Sequence, residues 1–266
     1  MSIDIDGYAT SVAVSGSGST VLYLSDHILA GRWLPFHEQL ASRFRTVAPV
    51  HPGFGGSTMP PGLRDFTDYV LHYDQLIQAL AGDTPAHLVG NSFGAWIAAE
   101  LAVFYPRRFA SLTLIAPFGL RIPGEPAVDQ FRWNEQERIV AMLNGDTETW
   151  GVLVDGGKSP ESAVIDRYAD SIAFARLAWN PRYDARLETR LSRISAPTTV
   201  IHPVDDKVAS IDQATGFAQA VPGAKLVLLN PSVTTPASHL SVLAHPELLA
   251  ARVADQVANA NTKELA

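Results

Sequence analysis

Apolar positions along this chain follow two rhythms, and the rhythm changes from one segment to the next. Small and apolar residues alternate over residues 8–14, as in a strand with one buried face. Ser15-Gly16-Ser17-Gly18-Ser19 is then a turn into a second strand over 20–24. Helical spacing over 33–40 is followed by a strand over 44–50 and a glycine-rich loop over 51–57. Phe66, Tyr69, Val70, Tyr73, Leu76, Ile77 and Leu80 recur at three and four residues, which makes 65–81 the clearest amphipathic helix. A short buried strand over 86–89 leads to a helix from residue 93. The continuous apolar run over 110–115 suits a strand covered on both faces. Strand and helix alternate, the pattern of an α/β sheet with helices on both sides.

The rhythm breaks between residues 117 and 195. Phe131, Trp133, Trp150, Tyr168, Phe174, Trp179 and Tyr183 punctuate helical, charge-rich stretches without a convincing strand, which predicts a helical insertion between two sheet strands. Sheet elements resume with a strand over 198–202, a helix over 211–220, a strand over 224–229 and a last helix over 240–258. The expected organisation is a core over 1–117, an inserted helical cap over 118–195, the rest of the core over 196–258, and a frayed polar tail over 259–266.

Composition narrows the function classes. A chain of 266 residues, 47% hydrophobic, has enough apolar material for one substantial core. A net charge of -7 argues against nucleic acid, which needs a concentrated basic surface. The absence of cysteine excludes disulfides, zinc–thiolate sites and a thiol nucleophile. The acidic first residues lack the basic and apolar regions of a secretion signal, and no apolar run approaches the roughly 20 residues that span a bilayer. A soluble cytoplasmic protein acting on a small molecule, without membrane contact, is the expectation. Neither G-x-G-x-x-G nor G-x-x-x-x-G-K-[ST] occurs, so no nucleotide cofactor is expected, and no metal site either.

Candidate chemistry centres on Gly90-Asn91-Ser92-Phe93-Gly94, a serine flanked by glycines between a strand and a helix. A tight turn there strains the serine backbone and leaves no room for neighbouring side chains, while the helix start supplies unpaired N–H groups beside the hydroxyl. Serine needs a base, usually a histidine held by a carboxylate. Of the eight histidines, His51, His202 and His239 follow strand ends, where an open parallel sheet keeps its working groups. Only His239 comes after both the serine and a candidate acid, Asp205 or Asp206.

At this point the chain resembles the α/β-hydrolase superfamily over nearly its whole length, in the order nucleophile, acid, histidine. Further segments are similar to the family: 33–40 followed by Arg45 through the loop His51-Pro52-Gly53-Phe54-Gly55-Gly56-Ser57, then Pro197 to Ile201 followed by Val204-Asp205-Asp206-Lys207, and His239 seven residues before Pro246-Glu247. The resemblance implies an eight-stranded, mostly parallel sheet with a helical cap, a triad of Ser92, Asp206 and His239, and an oxyanion hole made by the backbone N–H groups of Phe93 and His27. Family spacing places the acid at Asp206, with Asp205 left to the turn, and His51, His202 and His245 to structural or pocket-lining roles. Ser92 argues against the epoxide hydrolases and haloalkane dehalogenases of the family, whose nucleophile is Asp.

The match fails at one place. Where the family usually has His-Gly after its third strand, this chain has Ser25-Asp26. Asp26 either turns aside to cap a turn or contacts the substrate, where a carboxylate would repel a developing oxyanion. Asn91 is the other candidate for substrate contact, because the elbow resembles that of hydrolases cleaving carbon–carbon bonds in ring-fission products. Those enzymes carry a His-Gly-x-Gly-Pro-Gly loop and usually a Trp after the histidine, whereas this chain has Ser25-Asp26-His27-Ile28 and Leu240. The leading expectation is therefore an ester or lactone hydrolase. Carbon–carbon or other non-ester chemistry on the same triad is the second reading, and a non-catalytic ligand-binding member of the fold the third.

Overall fold

A computed structural model describes residues 1–125, 129–230 and 237–264. The strands are β1 (Ser2–Ile5), β2 (Tyr8–Ser15), β3 (Thr20–Leu24), β4 (Arg45–Pro49), β5 (Ala86–Asn91), β6 (Phe109–Ile115), β7 (Thr198–Pro203) and β8 (Lys225–Leu229). They form one eight-stranded sheet in the order β1-β2-β4-β3-β5-β6-β7-β8. The pairings of β1 with β2 and of β2 with β4 are antiparallel, and every later pairing is parallel. β1 carries no expectation from the sequence pattern.

Alternation along the strands sends side chains to two cores. Leu22 and Leu24 of β3, Leu88 of β5, Leu112 and Leu114 of β6 and Val200 of β7 face one side. There they meet α2 (Phe66–Ala81), α3 (Phe93–Phe104) and α8 (Ile211–Ala220). Val21, Tyr23, Val89, Ile115 and Ile201 face the other side, against α1 (Pro35–Ala41) and α10 (Pro246–Glu264). At about 25 cal/mol per Å² of apolar surface, such two-sided burial dominates the stability of the sheet. Between β6 and β7 run α4 (Glu135–Met142), α5 (Thr147–Asp155), α6 (Pro160–Ala178) and α7 (Leu187–Arg190), with no strand among the described residues.

Prolines correct the expected helix limits. Pro35 occupies the first turn of α1 and disfavours helix at the residue before it, so the helix starts after Trp33 and Leu34. Pro246 likewise divides the last helical stretch into α9 (Ser241–Ala244) and α10. α10 runs through Glu264. Residues 265–266 lie outside the described residues.

Candidate active site

The turn between β5 and α3 is set by two close backbone approaches. A Cβ on Gly90 would lie 2.4 Å from the Gly94 carbonyl oxygen, and one on Gly94 would lie 2.1 Å from the carbonyl oxygen of Leu24. The end of β3 therefore rests directly on the turn, bringing residues 25–27 beside it. Ser92 takes φ 55° and ψ −115°, a conformation that L-residues seldom adopt. Its N–H donates to the Ile115 carbonyl at 2.8 Å, and its own carbonyl accepts from Ala95 N–H at 2.9 Å. The strained residue is thus held from both sides.

Ser92, Asp206 and His239 meet although they lie far apart in the chain. His239 Nε2 is 2.6 Å from Ser92 Oγ, and His239 Nδ1 is 2.7 Å from Asp206 Oδ2. A carboxylate only accepts, so Nδ1 carries the proton and Nε2 presents its lone pair to the serine O–H. The other oxygen of Asp206 accepts from the N–H groups of Val208 at 2.7 Å and Ala209 at 3.0 Å, which fixes the carboxylate. Asp205 is exposed, and only its carbonyl oxygen is engaged, by Asn144 Nδ2 at 3.0 Å. Ser92 and His239 are fully buried.

The electrostatics favour a charged relay. Burial opposes ionisation of Asp206, but the His239 charge and hydrogen bond outweigh it, and the carboxyl lies below its ordinary range. Burial also disfavours the imidazolium of His239, yet Asp206, with a contribution from Asp26, shifts its pKa upward. His202 lies 4.0 Å from Asp206 Oδ2, and burial lowers its pKa. His51 bridges Tyr73 and the Ser25 carbonyl, and burial lowers it to about 4. Neither His202 nor His51 bonds to the serine. His245 follows α9 and donates its backbone N–H to the Ser241 carbonyl at 2.8 Å.

Asp26 caps the turn that begins at His27. One oxygen caps the turn His27–Leu29 by accepting from Ile28 N–H at 2.9 Å, and the other accepts from His27 Nδ1 at 3.2 Å. The carboxylate is nevertheless at the site and fully buried. Burial opposes its charge, but His27, then His239 and the Ser92 hydroxyl, overcome that and hold the carboxyl well below the usual carboxylate range. His27 stacks on Phe174 of α6 with centroids 4.1 Å apart. The backbone N–H groups of Phe93 and His27 each begin a helical turn and donate to no acceptor among the described residues. Asn91, at the end of β5, directs Nδ2 to the Ile115 carbonyl at 3.3 Å and leaves Oδ1 unpartnered among the described residues.

Three contributors from the region between β6 and β7 escaped the sequence reading. Asn144 Nδ2 also donates to the Ala237 carbonyl at 2.9 Å, so one amide joins the segments that carry Asp206 and His239. Asp170 of α6 accepts from Gly55 N–H at 2.8 Å, and burial raises its pKa to about 6. Phe118 lies 6.5 Å from the His239 ring and 6.4 Å from that of Phe174, centroid to centroid. The Asn144-Gly145 pair is a turn signal that marks the first of these. The others depend on which face of a segment between β6 and β7 meets the core.

A strained serine at a strand-to-helix turn, hydrogen-bonded to a histidine that is itself bonded to an acid, on an eight-stranded mostly parallel sheet, defines a class. Residues 12–252 match the model of the Alpha/beta hydrolase family, and the chain belongs to that family. It is 27% identical over 278 residues to a 2-hydroxymuconate semialdehyde hydrolase of Pseudomonas putida, covering 96% of this chain and 92% of the relative. It is 25% identical over 220 residues to a monoacylglycerol lipase of Xenopus laevis, covering 74% and 64% of the two chains. Among solved structures, a meta-cleavage product hydrolase from Pseudomonas fluorescens shares the fold with a TM-score of 0.77 at 18% identity, over 98% of each chain.

Proposed function

We propose that this protein is a serine hydrolase that cleaves a carboxylic ester or lactone of a small, neutral, largely apolar substrate through an acyl-enzyme on Ser92. The observation that carries this reading is the continuous line from Asp206 Oδ2 through His239 to Ser92 Oγ, with hydrogen bonds of 2.7 and 2.6 Å. His239 takes the serine proton as Oγ attacks the carbonyl carbon, and Asp206 stabilises the resulting imidazolium. The tetrahedral oxyanion accepts from the N–H groups of Phe93 and His27. His239 returns the proton to the leaving alcohol as the C–O bond breaks. Water, deprotonated by the same nitrogen, then adds to the acyl-enzyme and releases the acid and free serine.

Charge selects among substrates. The buried, ionised carboxylate of Asp26 faces the serine, so an anionic group near the scissile bond meets repulsion. Phe93, Phe118 and Phe174 supply apolar walls. Carbon–carbon cleavage is the second reading, favoured by the near full-length similarity to a 2-hydroxymuconate semialdehyde hydrolase. There the same imidazole delivers its proton to carbon.

Hydrolysis of p-nitrophenyl butanoate and of 2-hydroxymuconate semialdehyde by one preparation separates the two readings. Ser92→Ala and His239→Ala are each expected to lower kcat roughly a millionfold, and Asp206→Asn roughly ten-thousandfold. Ester turnover that survives Ser92→Ala refutes the acyl-enzyme. Turnover of the semialdehyde alone transfers the assignment to the second reading.

A further inference from the structure

α6 is apolar on two opposite faces. One carries the buried Ala163, Asp170, Ala173 and Phe174 and rests on the core, through Asp170 on Gly55 N–H and Phe174 on His27. At about 3.6 residues per turn, Val164, Ile165, Tyr168, Ile172 and Trp179 fall on the other side. Ile165, Tyr168, Ile172, Ala175 and Trp179 follow one another at steps of three and four, the spacing of a seam between two helices. Trp179 keeps helical backbone angles at the end of α6, so it continues the seam. Ile165 and Tyr168 are each 69% exposed, and Trp179 is 61% exposed.

A single apolar side chain on a surface is ordinary, whereas a contiguous row along one helix marks a contact. With two aromatic rings in it, this face offers on the order of 600 Å² of apolar surface. Two such faces together would bury about 1,200 Å², where the range of stable protein–protein interfaces begins.

Charge indicates what covers it. Glu161 in the first turn and Arg176 in the last share this outer face, and both are exposed. Neither pairs with an opposite charge among the described residues, whereas Asp166 pairs with Lys158, and Arg167 with Glu135 and Asp155. In a two-fold antiparallel pair of helices, one register fixes every facing position. The register that sets Glu161 against the partner's Arg176 also sets Ile165 against the partner's Ile172 and brings the two Tyr168 rings together at the axis. The face is complementary to itself in charge and in apolar pattern. A lipid surface suits it less, because anionic membranes attract a basic rim, and here one charge of each sign sits on a chain of net charge -7.

We propose that α6 is the contact between two copies of this chain, paired antiparallel about a two-fold axis near Tyr168, with Glu161 bound to the partner's Arg176 on each side. The pairing is independent of the chemistry at Ser92.

Sedimentation equilibrium of the full chain tests it, and the wild type is expected to dimerise with a micromolar Kd. Tyr168→Asp places like charges at the axis and should weaken the dimer about a hundredfold or more. Its circular dichroism spectrum should match the wild type, because this side chain points into water. Glu161→Arg and Arg176→Glu should each raise Kd about tenfold, and their combination, which restores opposite charges, should return it to within about threefold of the wild type. A wild type that is still monomeric at about 200 µM, a dimer indifferent to Tyr168→Asp, or a double variant no tighter than the single ones overturns the pairing. So does a monomer that cosediments with phosphatidylcholine vesicles and is released from them by Tyr168→Asp, which assigns the face to a lipid surface.

Discussion

Replacing Asp26 with Asn removes one buried charge and keeps an oxygen that can still cap Ile28 N–H, while the amide nitrogen donates to His27 Nδ1 in the tautomer that leaves that nitrogen unprotonated. The change therefore isolates electrostatics. Ser92 Oγ lies 2.6 Å from His239 Nε2, and the Asp26 carboxylate faces the same hydroxyl, so the charge lies within about two hydrogen-bond lengths of the ring, roughly 6 Å. At an effective dielectric near 20, a unit charge at that distance contributes at most about 3 kcal/mol. The sign is fixed: Asp26 raises the His239 pKa, so its loss lowers it. The acid limb of kcat/KM reports the neutral fraction of the free-enzyme base. In Asp26→Asn that limb should move to lower pH. At the plateau the lost repulsion of the oxyanion and the lost attraction for the imidazolium oppose each other, so the rate should change by less than about tenfold. Rates on p-nitrophenyl butanoate from about pH 4 to about pH 9, with circular dichroism as the folding control, decide it. An acid limb that stays in place or moves to higher pH refutes the coupling.

Two further outcomes test the supports of the site. Gly94→Ala pushes a Cβ to within 2.1 Å of Leu24 O and 2.5 Å of Ser25 O, both backbone atoms that cannot rotate away. A cost of about 1–3 kcal/mol or more should lower Tm by about 5 °C or more and abolish ester turnover, and a Tm within about 1 °C of wild type contradicts the packing argument. Asp170→Asn keeps an acceptor for Gly55 N–H and deletes a carboxylate whose pKa burial raises to about 6. A raised carboxyl pKa makes the folded state bind more protons than the unfolded one, so the penalty of the charge is complete above about pH 6 and vanishes below the unfolded pKa near 4. Urea denaturation should therefore find the variant about 1–3 kcal/mol more stable at about pH 8, with the gain nearly gone at about pH 4. A gain equal at both pH values counts against it.

The parallel strands were legible because they are buried on both faces and read as continuous apolar runs, as 110–115 does for β6. β1 was not, since four residues at a sheet edge carry too few alternations to stand out from a polar terminus. Proline accounts for the misplaced helix ends at Pro35 and Pro246. Ser92, His239 and the pair Asp205 and Asp206 were reachable from the order of strand ends, because an open parallel sheet collects those ends along one edge, and the family resemblance chose Asp206 of the two. Asp26 was harder, since capping and facing the serine read as alternatives along a chain, while one carboxylate has an oxygen for each neighbour. Asp170 and Phe118 contribute through the packing of the region between β6 and β7 on the core, and α6 has no clear apolar stripe from which to read that packing.

The bridge made by Asn144 couples the helices between β6 and β7 to the loops that carry Asp206 and His239. The end of α4 is anchored there through the Asn144 amide and through Leu240 N–H on the Met142 carbonyl at 3.3 Å. α6 is tied in turn to α4 and α5, by Arg167 to Glu135 and Asp155 and by Arg138 Nη1 to Ser171 Oγ at 2.6 Å. A load placed on α6 would therefore be transmitted through α4 to the two residues whose alignment with Ser92 the site depends on.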